Sequence, residues 1–221
     1  MGRIRAALAA TLLLAACAPS SGEDGAAAAA RGSGFDFYVL SLAWSPSYCK
    51  IEGEQADRRQ CGRDRDLAFV VHGLWPQFER GYPKECRSDE PGRVPDDLAD
   101  RMLDLMPSRG LVGHEWRTHG TCTALSQTDY FAATRAAYRR VALPESLSDA
   151  GRASRLAPSA IEQAFVDANP GMTADGIAVT CDGGMLDEVR ICLTRELGFR
   201  SCPQIDRNAC RAGSLSLPAA P

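Results

Sequence analysis

The residues best suited to chemistry lie in the segment His-Glu-Trp-Arg-Thr-His-Gly-Thr-Cys, 114–122, which holds two of the three histidines of the chain. If this segment opens a helix, Glu115 and His119 share one face, because residues four apart lie one above the other. Thr118 follows His114 by four residues and lines the same face. Two imidazoles beside a carboxylate can exchange protons near neutral pH. The segment therefore predicts acid–base chemistry.

The third histidine, His72, lies in the apolar run 67–75, which predicts a buried central strand. Gly73 and Pro76 interrupt this run, so His72 is expected near the end of the strand. Trp75 follows three residues later and is interpreted as an exposed aromatic beside the site, with a place in the core as the alternative for its indole. We expect a rigidly held catalytic group beside an aromatic surface.

Three imidazoles could also bind a metal ion, with Glu115 as the base. Histidines that share a zinc ion on one helix are four residues apart. His114 and His119 are five apart, which separates them by roughly 140° around a helix axis. The sequence has no Gly-X-Ser-X-Gly motif for a nucleophilic serine. The spacing favours proton transfer without a metal ion or another cofactor.

A mixture of strands and helices must position these segments. Apolar patterning predicts strands over 35–44, 67–75, 176–181 and 188–194, and helices over 95–106, 128–141 and 158–171. Turns are expected at Ser45-Pro46-Ser47 and at Gly183–Gly184, and a capping box at Ser159 with Glu162. Strands at both ends with helices between them indicate the α+β class.

The N-terminus has the pattern of an export signal. Arg3 and Arg5 precede a short apolar run that ends in Leu-Ala-Ala-Cys. We interpret residues 1–16 as a lipoprotein-type signal peptide, Cys17 as the lipidated residue and 17–34 as a flexible tether. An ordinary signal peptide with an incidental cysteine is the alternative. The catalytic domain would then span residues 35–221, exported and held at a periplasmic, outer-membrane or cell-surface location.

The charge balance argues against a broad surface for polyanions. Removal of residues 1–16 takes away two arginines and lowers the formal charge of the chain from −3 to −5. No extended basic face is implied, so binding of a nucleic acid must depend on a local site. A monomer is the default expectation.

Eight cysteines remain after Cys17, and an even count behind an export signal predicts disulfides in an oxidising compartment. Zinc is disfavoured, because no Cys-X-X-Cys pair occurs. The sequence alone leaves the pairing of these cysteines open.

Several segments together resemble the ribonuclease T2 family. His-Gly-Leu-Trp-Pro-Gln at 72–77 and the segment 114–122 resemble its two active-site segments, and 35–49 resembles its first strand. The closing strands are similar as well, so that the resemblance covers about residues 35–210. It implies an α+β fold with a central antiparallel sheet flanked by helices, in a single disulfide-stabilised domain.

The resemblance also implies a function. The chain would be a metal-independent endoribonuclease that cleaves single-stranded RNA, and not DNA, by transesterification to 2′,3′-cyclic phosphates and then 3′-phosphates. His119 would be the general base and His72 the general acid. His114 would hold the phosphate, and Glu115 would help to stabilise the phosphorane. Trp75 and Gln77 would contact the base.

Four disulfide pairs are implied by the same resemblance. They are Cys49–Cys61, Cys86–Cys122, Cys181–Cys210 and Cys192–Cys202.

One departure from the family pattern concerns charge. The family usually has a lysine where this chain has Thr118, which offers a hydrogen bond but no charge. Arg117 lies next to it and is always cationic, although its direction on a helix differs. Arg117 and Thr118 are therefore both candidates for binding substrate.

Two alternatives to an active ribonuclease remain. One is a catalytically impaired RNA-binding surface lipoprotein on the same scaffold. The other is a zinc hydrolase. Retention of both His72 and His119 favours the active enzyme over the first.

Overall fold

The computed structural model describes residues 32–221, so the predicted signal peptide, Cys17 and the tether up to residue 31 lie outside it. The chain folds as a single α+β domain. Its strands and helices, in chain order, are β1 (Phe37–Trp44), α1 (Ser45–Glu52), α2 (Arg58–Cys61), β2 (Phe69–Gln77), α3 (Asp96–Asp100), α4 (Arg109–Thr118), α5 (Gln127–Arg140), β3 (Ser154–Leu156), α6 (Pro158–Ala168), β4 (Ile177–Asp182), β5 (Met185–Leu193), α7 (Pro203–Asp206) and β6 (Leu215–Leu217).

The sheet has the strand order β2-β1-β5-β6-β3, and β4 pairs with the other edge of β5 at the hairpin. Strand β1 lies between β2 and β5 and is antiparallel to both. The pairing of β5 with β6 is parallel. The expected central antiparallel sheet is therefore present, with a short parallel addition at one side.

The core forms where helices cover this sheet. The ring of Phe69 on β2 contacts Trp44 on one side, with ring centroids 5.0 Å apart, and Phe165 of α6 at 5.5 Å. All three side chains are buried. Edge-on aromatic contacts of this kind add to the burial of apolar area that holds helix and sheet together.

Strand β2 differs from its prediction in place and length. It lies at the end of the strand order rather than at the centre, and it continues through Pro76 to Gln77. Proline has no N–H to donate, so it is tolerated on an edge strand where one side of the ladder is unpaired. The strand is nevertheless apolar, because α4 and α5 pack against it.

Three predictions about helices were wrong. Ser45-Pro46-Ser47 opens α1 instead of forming a turn, since proline fits the first turn of a helix. The helix expected over 95–106 is confined to α3, and turns follow it. The capping box of Ser159 is absent, because Glu162 accepts the backbone N–H of Val179 instead, at 3.0 Å.

The helix expected over 128–141 is α5, and its N-cap Ser126 accepts the N–H of Asp129 at 3.1 Å. The turn expected at Gly183 and Gly184 joins β4 to β5. Their φ angles of 53° and 75° are positive, as a two-residue hairpin turn of this kind requires. The predicted hairpin is confirmed.

The structure forms four disulfides that join the same cysteines as the family resemblance implies: Cys49–Cys61, Cys86–Cys122, Cys181–Cys210 and Cys192–Cys202. The second of these ties the loop before α3 to the turn that follows α4. Across residues 32–221, no helix is both long and apolar enough to cross a membrane.

Candidate active site

His72 lies on an irregularity of the sheet. Gly73 pairs with Ser41 on β1 and Val71 pairs with Leu42, so His72 has no partner residue on β1. An extra residue in one strand is a β-bulge, which redirects a side chain and often lies beside an active site. The imidazole of His72 is accordingly 37% exposed, although it belongs to a buried strand.

His119 lies just beyond the end of α4. The helix begins at Arg109, after the N-cap Ser108, and ends at Thr118. The φ and ψ angles of His119, −121° and −45°, leave the helix, and a 3₁₀ turn follows over Gly120–Thr123. The segment 114–122 therefore does not open a helix, but lies at the end of α4 and in the turn that follows.

Gly120 explains why the helix can stop there. The chain passes directly over the indole of Trp116, and a Cβ on Gly120 would overlap that ring. Glycine alone permits this close approach. The N–H of His119 still donates to the carbonyl of Glu115 at 2.9 Å, so the two residues remain one turn apart.

Glu115 is 1% exposed and lies between two side chains of the His72 segment. Its Oε2 accepts the indole N–H of Trp75 at 2.8 Å, and its Oε1 is 3.6 Å from Nε2 of His72. Space for the carboxylate exists because Gly73 has no side chain, since a Cβ there would overlap both the carboxylate and the indole nitrogen. The two predicted segments thus meet at Glu115.

A second buried carboxylate contacts His72 from the opposite ring nitrogen. Oε1 of Glu188, on β5, forms a hydrogen bond with Nδ1 of His72. Oε2 of the same carboxylate accepts Nε–H of Arg190 at 2.8 Å. Strand β1 brings these residues together, because it pairs with β2 on one side and β5 on the other.

The electrostatic environments of the two histidines differ. Burial disfavours the charged form of His72, but the hydrogen bond and charge of Glu188, with the charges of Glu115 and Asp187, raise its pKa above the ordinary value. Burial, with smaller effects of His72 and His114, lowers the pKa of His119 to about 4. His72 therefore holds a proton more strongly than His119 does.

The carboxylates diverge in the same way. Burial raises the pKa of Glu115 to about 7, against the opposing effects of His72 and the hydrogen bond from Trp75. Burial also disfavours the charge of Glu188, but His72 and Arg190 outweigh it and lower the pKa of Glu188 to about 2. Groups whose pKa values are displaced in opposite directions within one site are typical of acid–base catalysis.

A cleft of about 610 Å³ opens beside His119 and Trp75. Gln77 is among its lining residues, as are the exposed Tyr82 and the cation Arg190, and α7 with the residues after it forms a further wall. A cleft that combines an indole, polar side chains and cations can accept a base together with a phosphate. Trp75 is half-buried: its side chain lines the cleft and also packs against buried residues of the core. Its position therefore fits both the exposed and the core interpretation of its indole.

The remaining predicted residues lie apart from this cleft. His114, Arg117 and Thr118 line a separate hollow of about 450 Å³ near Cys86. Oγ1 of Thr118 is 3.5 Å from Nε2 of His114. The structure therefore brings His72, Glu115, His119, Trp75 and Gln77 together, while these three line the neighbouring hollow, from which His114 still acts on the charge of His119.

Glu188 and Arg190 were missed by the sequence analysis. A signal for them exists, because residues 188 and 190 are oppositely charged and two apart in a strand whose other residues, except Asp187, are apolar. Side chains two apart share one face of a strand, so the pair marks a polar site on a buried face. Within residues 32–221, no three His, Cys, Asp or Glu side chains are grouped as ligands for a metal ion.

The chain is similar to known ribonucleases in sequence and in fold. The sequence model described as the ribonuclease T2 family matches residues 35–202. A ribonuclease of Aeromonas hydrophila is 39% identical over 166 residues, which cover 73% of each chain. RNase NT, solved in complex with 5′-AMP, superposes with a TM-score of 0.64 at 25% identity, over 86% of this chain and 100% of its own. An RNase-related protein from Calystegia sepium shares the fold, with a TM-score of 0.68 at 20% identity over 86% of this chain and 100% of its own.

Proposed function

This chain belongs to the ribonuclease T2 family and is a T2-type endoribonuclease, and we propose that it cleaves single-stranded RNA by transesterification without a metal ion. One observation carries the proposal. The rings of His72 and His119 both contact the indole of Trp75, with ring centroids 5.4 and 5.3 Å away. Two imidazoles of opposite protonation state beside one aromatic surface fit the two proton transfers of an in-line displacement.

His119 is the general base in this proposal. Nδ1 of His119 is buried without a hydrogen-bond partner in the described part of the chain, so Nε2 is the atom that accepts the proton of the ribose 2′-OH. The lowered pKa keeps the imidazole neutral and able to accept this proton. The 2′-oxygen then attacks the adjacent phosphorus, and the substrate itself supplies the nucleophile.

His72 is the general acid. Its Nδ1 is engaged with Glu188, so Nε2 donates the proton to the departing 5′-oxygen. The raised pKa keeps this proton on the ring near neutral pH. Cleavage leaves a 2′,3′-cyclic phosphate, and the same pair of histidines with reversed roles adds water to give a 3′-phosphate.

Glu115 lies 3.6 Å from the nitrogen that loses this proton. With a pKa of about 7, it is largely protonated in mildly acidic solution and can then donate a hydrogen bond to an oxygen of the phosphorane. His114, in the neighbouring hollow, is proposed to hold the phosphate of the substrate.

Selectivity for RNA follows from this chemistry, because DNA lacks the 2′-hydroxyl and cannot react. An unpaired base can stack on Trp75 and meet Gln77 at the wall of the cleft. The 5′-AMP complex of RNase NT shows that a fold like this one binds a nucleotide, which supports the same class of ligand here.

The test is a cleavage assay on a single-stranded RNA oligonucleotide in excess EDTA, with products identified by mass spectrometry. We expect 2′,3′-cyclic phosphate ends first, 3′-phosphate ends later, and no cleavage of an oligonucleotide with 2′-deoxyribose at every position. His72→Gln and His119→Gln should each lower turnover by at least about 10²-fold while the protein stays folded.

Two outcomes would contradict the proposal. Loss of cleavage in EDTA with recovery on added zinc would indicate a metal-dependent hydrolase. Retained RNA binding without any cleavage would indicate the catalytically impaired binding protein, which the ribonuclease relatives do not favour.

Disulfides and family membership fit an exported protein. We propose further that residues 1–16 are removed as a signal peptide, that Cys17 is lipidated, that 17–34 is a tether and that the domain is a monomer. Incorporation of a labelled fatty acid that disappears in Cys17→Ser would support the anchor. Removal of the signal peptide by cleavage before a residue other than Cys17 would contradict the lipid anchor.

A further inference from the structure

Glu188 holds two residues of the site at once. One carboxylate oxygen, Oε1, binds Nδ1 of His72, and the other, Oε2, accepts Nε–H of Arg190 at 2.8 Å and lies 2.7 Å from its Nη2. The carboxylate is almost fully buried, at 4% exposure. Neither Glu188 nor Arg190 has a part in the proton transfers described above.

We propose that Glu188 is a positioning residue that orients His72 and Arg190 together, and that Arg190 is the cation that meets the phosphate in the cleft. This inference rests on the proposed ribonuclease function. It assigns the positive charge that Thr118 does not provide.

The first half concerns His72. A hydrogen bond from Nδ1 to a fixed carboxylate sets the rotation of the ring and keeps a proton on that nitrogen. The transferable proton is then always the one on Nε2, which faces Glu115 and the site. Glu115 and Asp187 also place negative charge near His72, but only Glu188 bonds to its ring nitrogen.

The second half concerns Arg190. Its guanidinium carbon lies 5.2 Å from the ring centroid of Trp75, and the side chain lines the same cleft as His119. The bonds to Glu188 use Nε and Nη2, so Nη1 remains outside that pair. A guanidinium fixed at one side by a carboxylate and at its face by an indole presents its other donors in a defined direction.

The competing cation, Arg117, lies on the other side of the proposed phosphate position. It is exposed and lines the hollow with His114 and Thr118, whereas Arg190 lines the cleft with His119 and Trp75. Arg207 also lines the cleft, at its exposed wall, and is a further cation for a more distant phosphate of the strand. Arg190 is held beside the indole of Trp75 in the cleft that His119 lines. It is therefore the cation placed to offset the negative charge that develops on the phosphorane.

The role of Glu188 is tested without any substrate. The chain has three histidines, so the imidazole signals of the folded protein are few and that of His72 is assigned by its loss in His72→Gln. In Glu188→Gln the midpoint of the His72 titration, followed by NMR, should fall by roughly 1–3 pH units, because a neighbouring charge is removed while the shape is kept.

Glu162→Gln is the matched control. Glu162 is also a partly buried carboxylate that accepts a hydrogen bond, but from the backbone of Val179 on the next strand. The His72 titration should be unchanged in this variant. An unchanged titration in Glu188→Gln as well would overturn the positioning role, and this result does not depend on whether the protein cleaves RNA.

Kinetics test Arg190. Arg190→Gln should lower kcat by about 10²-fold and weaken competitive inhibition by inorganic phosphate, and Arg190→Lys should recover part of both. Arg155→Gln, an exposed arginine on β3, is the matched control and should leave both values unchanged. If Arg117→Gln loses activity while Arg190→Gln retains it, the assignment of Arg190 is wrong. If wild type does not cleave RNA at all, the proposed function fails, but phosphate binding still tests Arg190.

Discussion

The indole N–H of Trp75 donates a hydrogen bond to Oε2 of Glu115 at 2.8 Å, which joins the wall of the cleft to its buried carboxylate. The two residues come from β2 and α4, and thus from the two segments that the sequence analysis selected separately. The indole of Trp75 therefore has two proposed roles. It can stack on a base, and it holds the carboxyl group of Glu115 in place.

Trp75→Phe separates these two roles. Phenylalanine can still stack on a base, but Glu115 loses its donor, and a hydrogen bond to an ionisable group contributes about 1.5–3 kcal/mol. We expect kcat/KM to fall by about 10- to 100-fold, mainly in kcat. Trp44→Phe is the control, since its indole N–H donates to the carbonyl of Pro218 at 3.1 Å, away from the site. Equal loss in both variants would contradict this role of Trp75.

Gly73→Ala introduces a methyl group where the Glu115 carboxylate and the Trp75 indole nitrogen now lie. One or both must move, so we expect kcat to fall by at least about 10²-fold, because small displacements of catalytic groups have effects of this size. Overpacking should lower the free energy of unfolding by about 1–3 kcal/mol. Gly213→Ala has no atom within 4 Å of the added Cβ and should leave both quantities unchanged. A fully active Gly73→Ala would show that this space is not needed.

The pH dependence of kcat/KM should follow the two histidines. The base must be neutral, so activity rises as the pH increases through about 4, the pKa of His119. The acid and Glu115 must be protonated, so activity falls as the pH rises through about 7, the pKa of Glu115, and through the pKa of His72, which lies above its ordinary value of 6.5. A pH profile at constant ionic strength measures both limbs. An acidic limb near 6.5 instead of 4 would contradict a base whose pKa is lowered by burial.

Removal of the Cys86–Cys122 disulfide by a double change to serine should affect both stability and the site. The bridge closes a loop with a sequence separation of 36 residues, for which loop closure predicts about 3–4 kcal/mol of the free energy of unfolding. Activity should fall as well, because Cys122 lies in the turn that follows His119. Denaturant unfolding and steady-state kinetics give the two values.

Cys49–Cys61 provides the comparison, because it closes a separation of 12 residues between α1 and α2 and has no contact with the cleft. Changing both of these cysteines to serine should lower the free energy of unfolding and leave kcat/KM unchanged. Equal effects of both variants on kcat/KM would argue that the first disulfide stabilises the whole domain and does not hold the site.

Local patterns predicted much of this molecule. The α+β class, the family and the hairpin at Gly183 all depend on residues close in sequence or on long motifs in a fixed order. These patterns also selected His72, Glu115 and His119, which the structure brings to one place. The roles assigned to these three residues stay predictions for the kinetic experiments.

What could not be predicted depends on packing between distant segments. The end of α4 at Thr118 comes two residues before the close approach of Gly120 to Trp116, which no helical periodicity reveals. The edge position of β2 depends on strand order. The place of Glu188 and Arg190 in the site depends on β1, which pairs with β2 on one side and with β5 on the other.

The β1 register also has a consequence for the order of assembly during folding. His72 and Glu188 are 116 residues apart, and their contact exists only after β1 has paired with both β2 and β5. Contacts of such high sequence separation form late, because the loop between them must close first. A chain that has not yet added its C-terminal hairpin holds neither the fixed His72 nor Arg190. The unfinished polypeptide therefore lacks the oriented acid of the proposed mechanism.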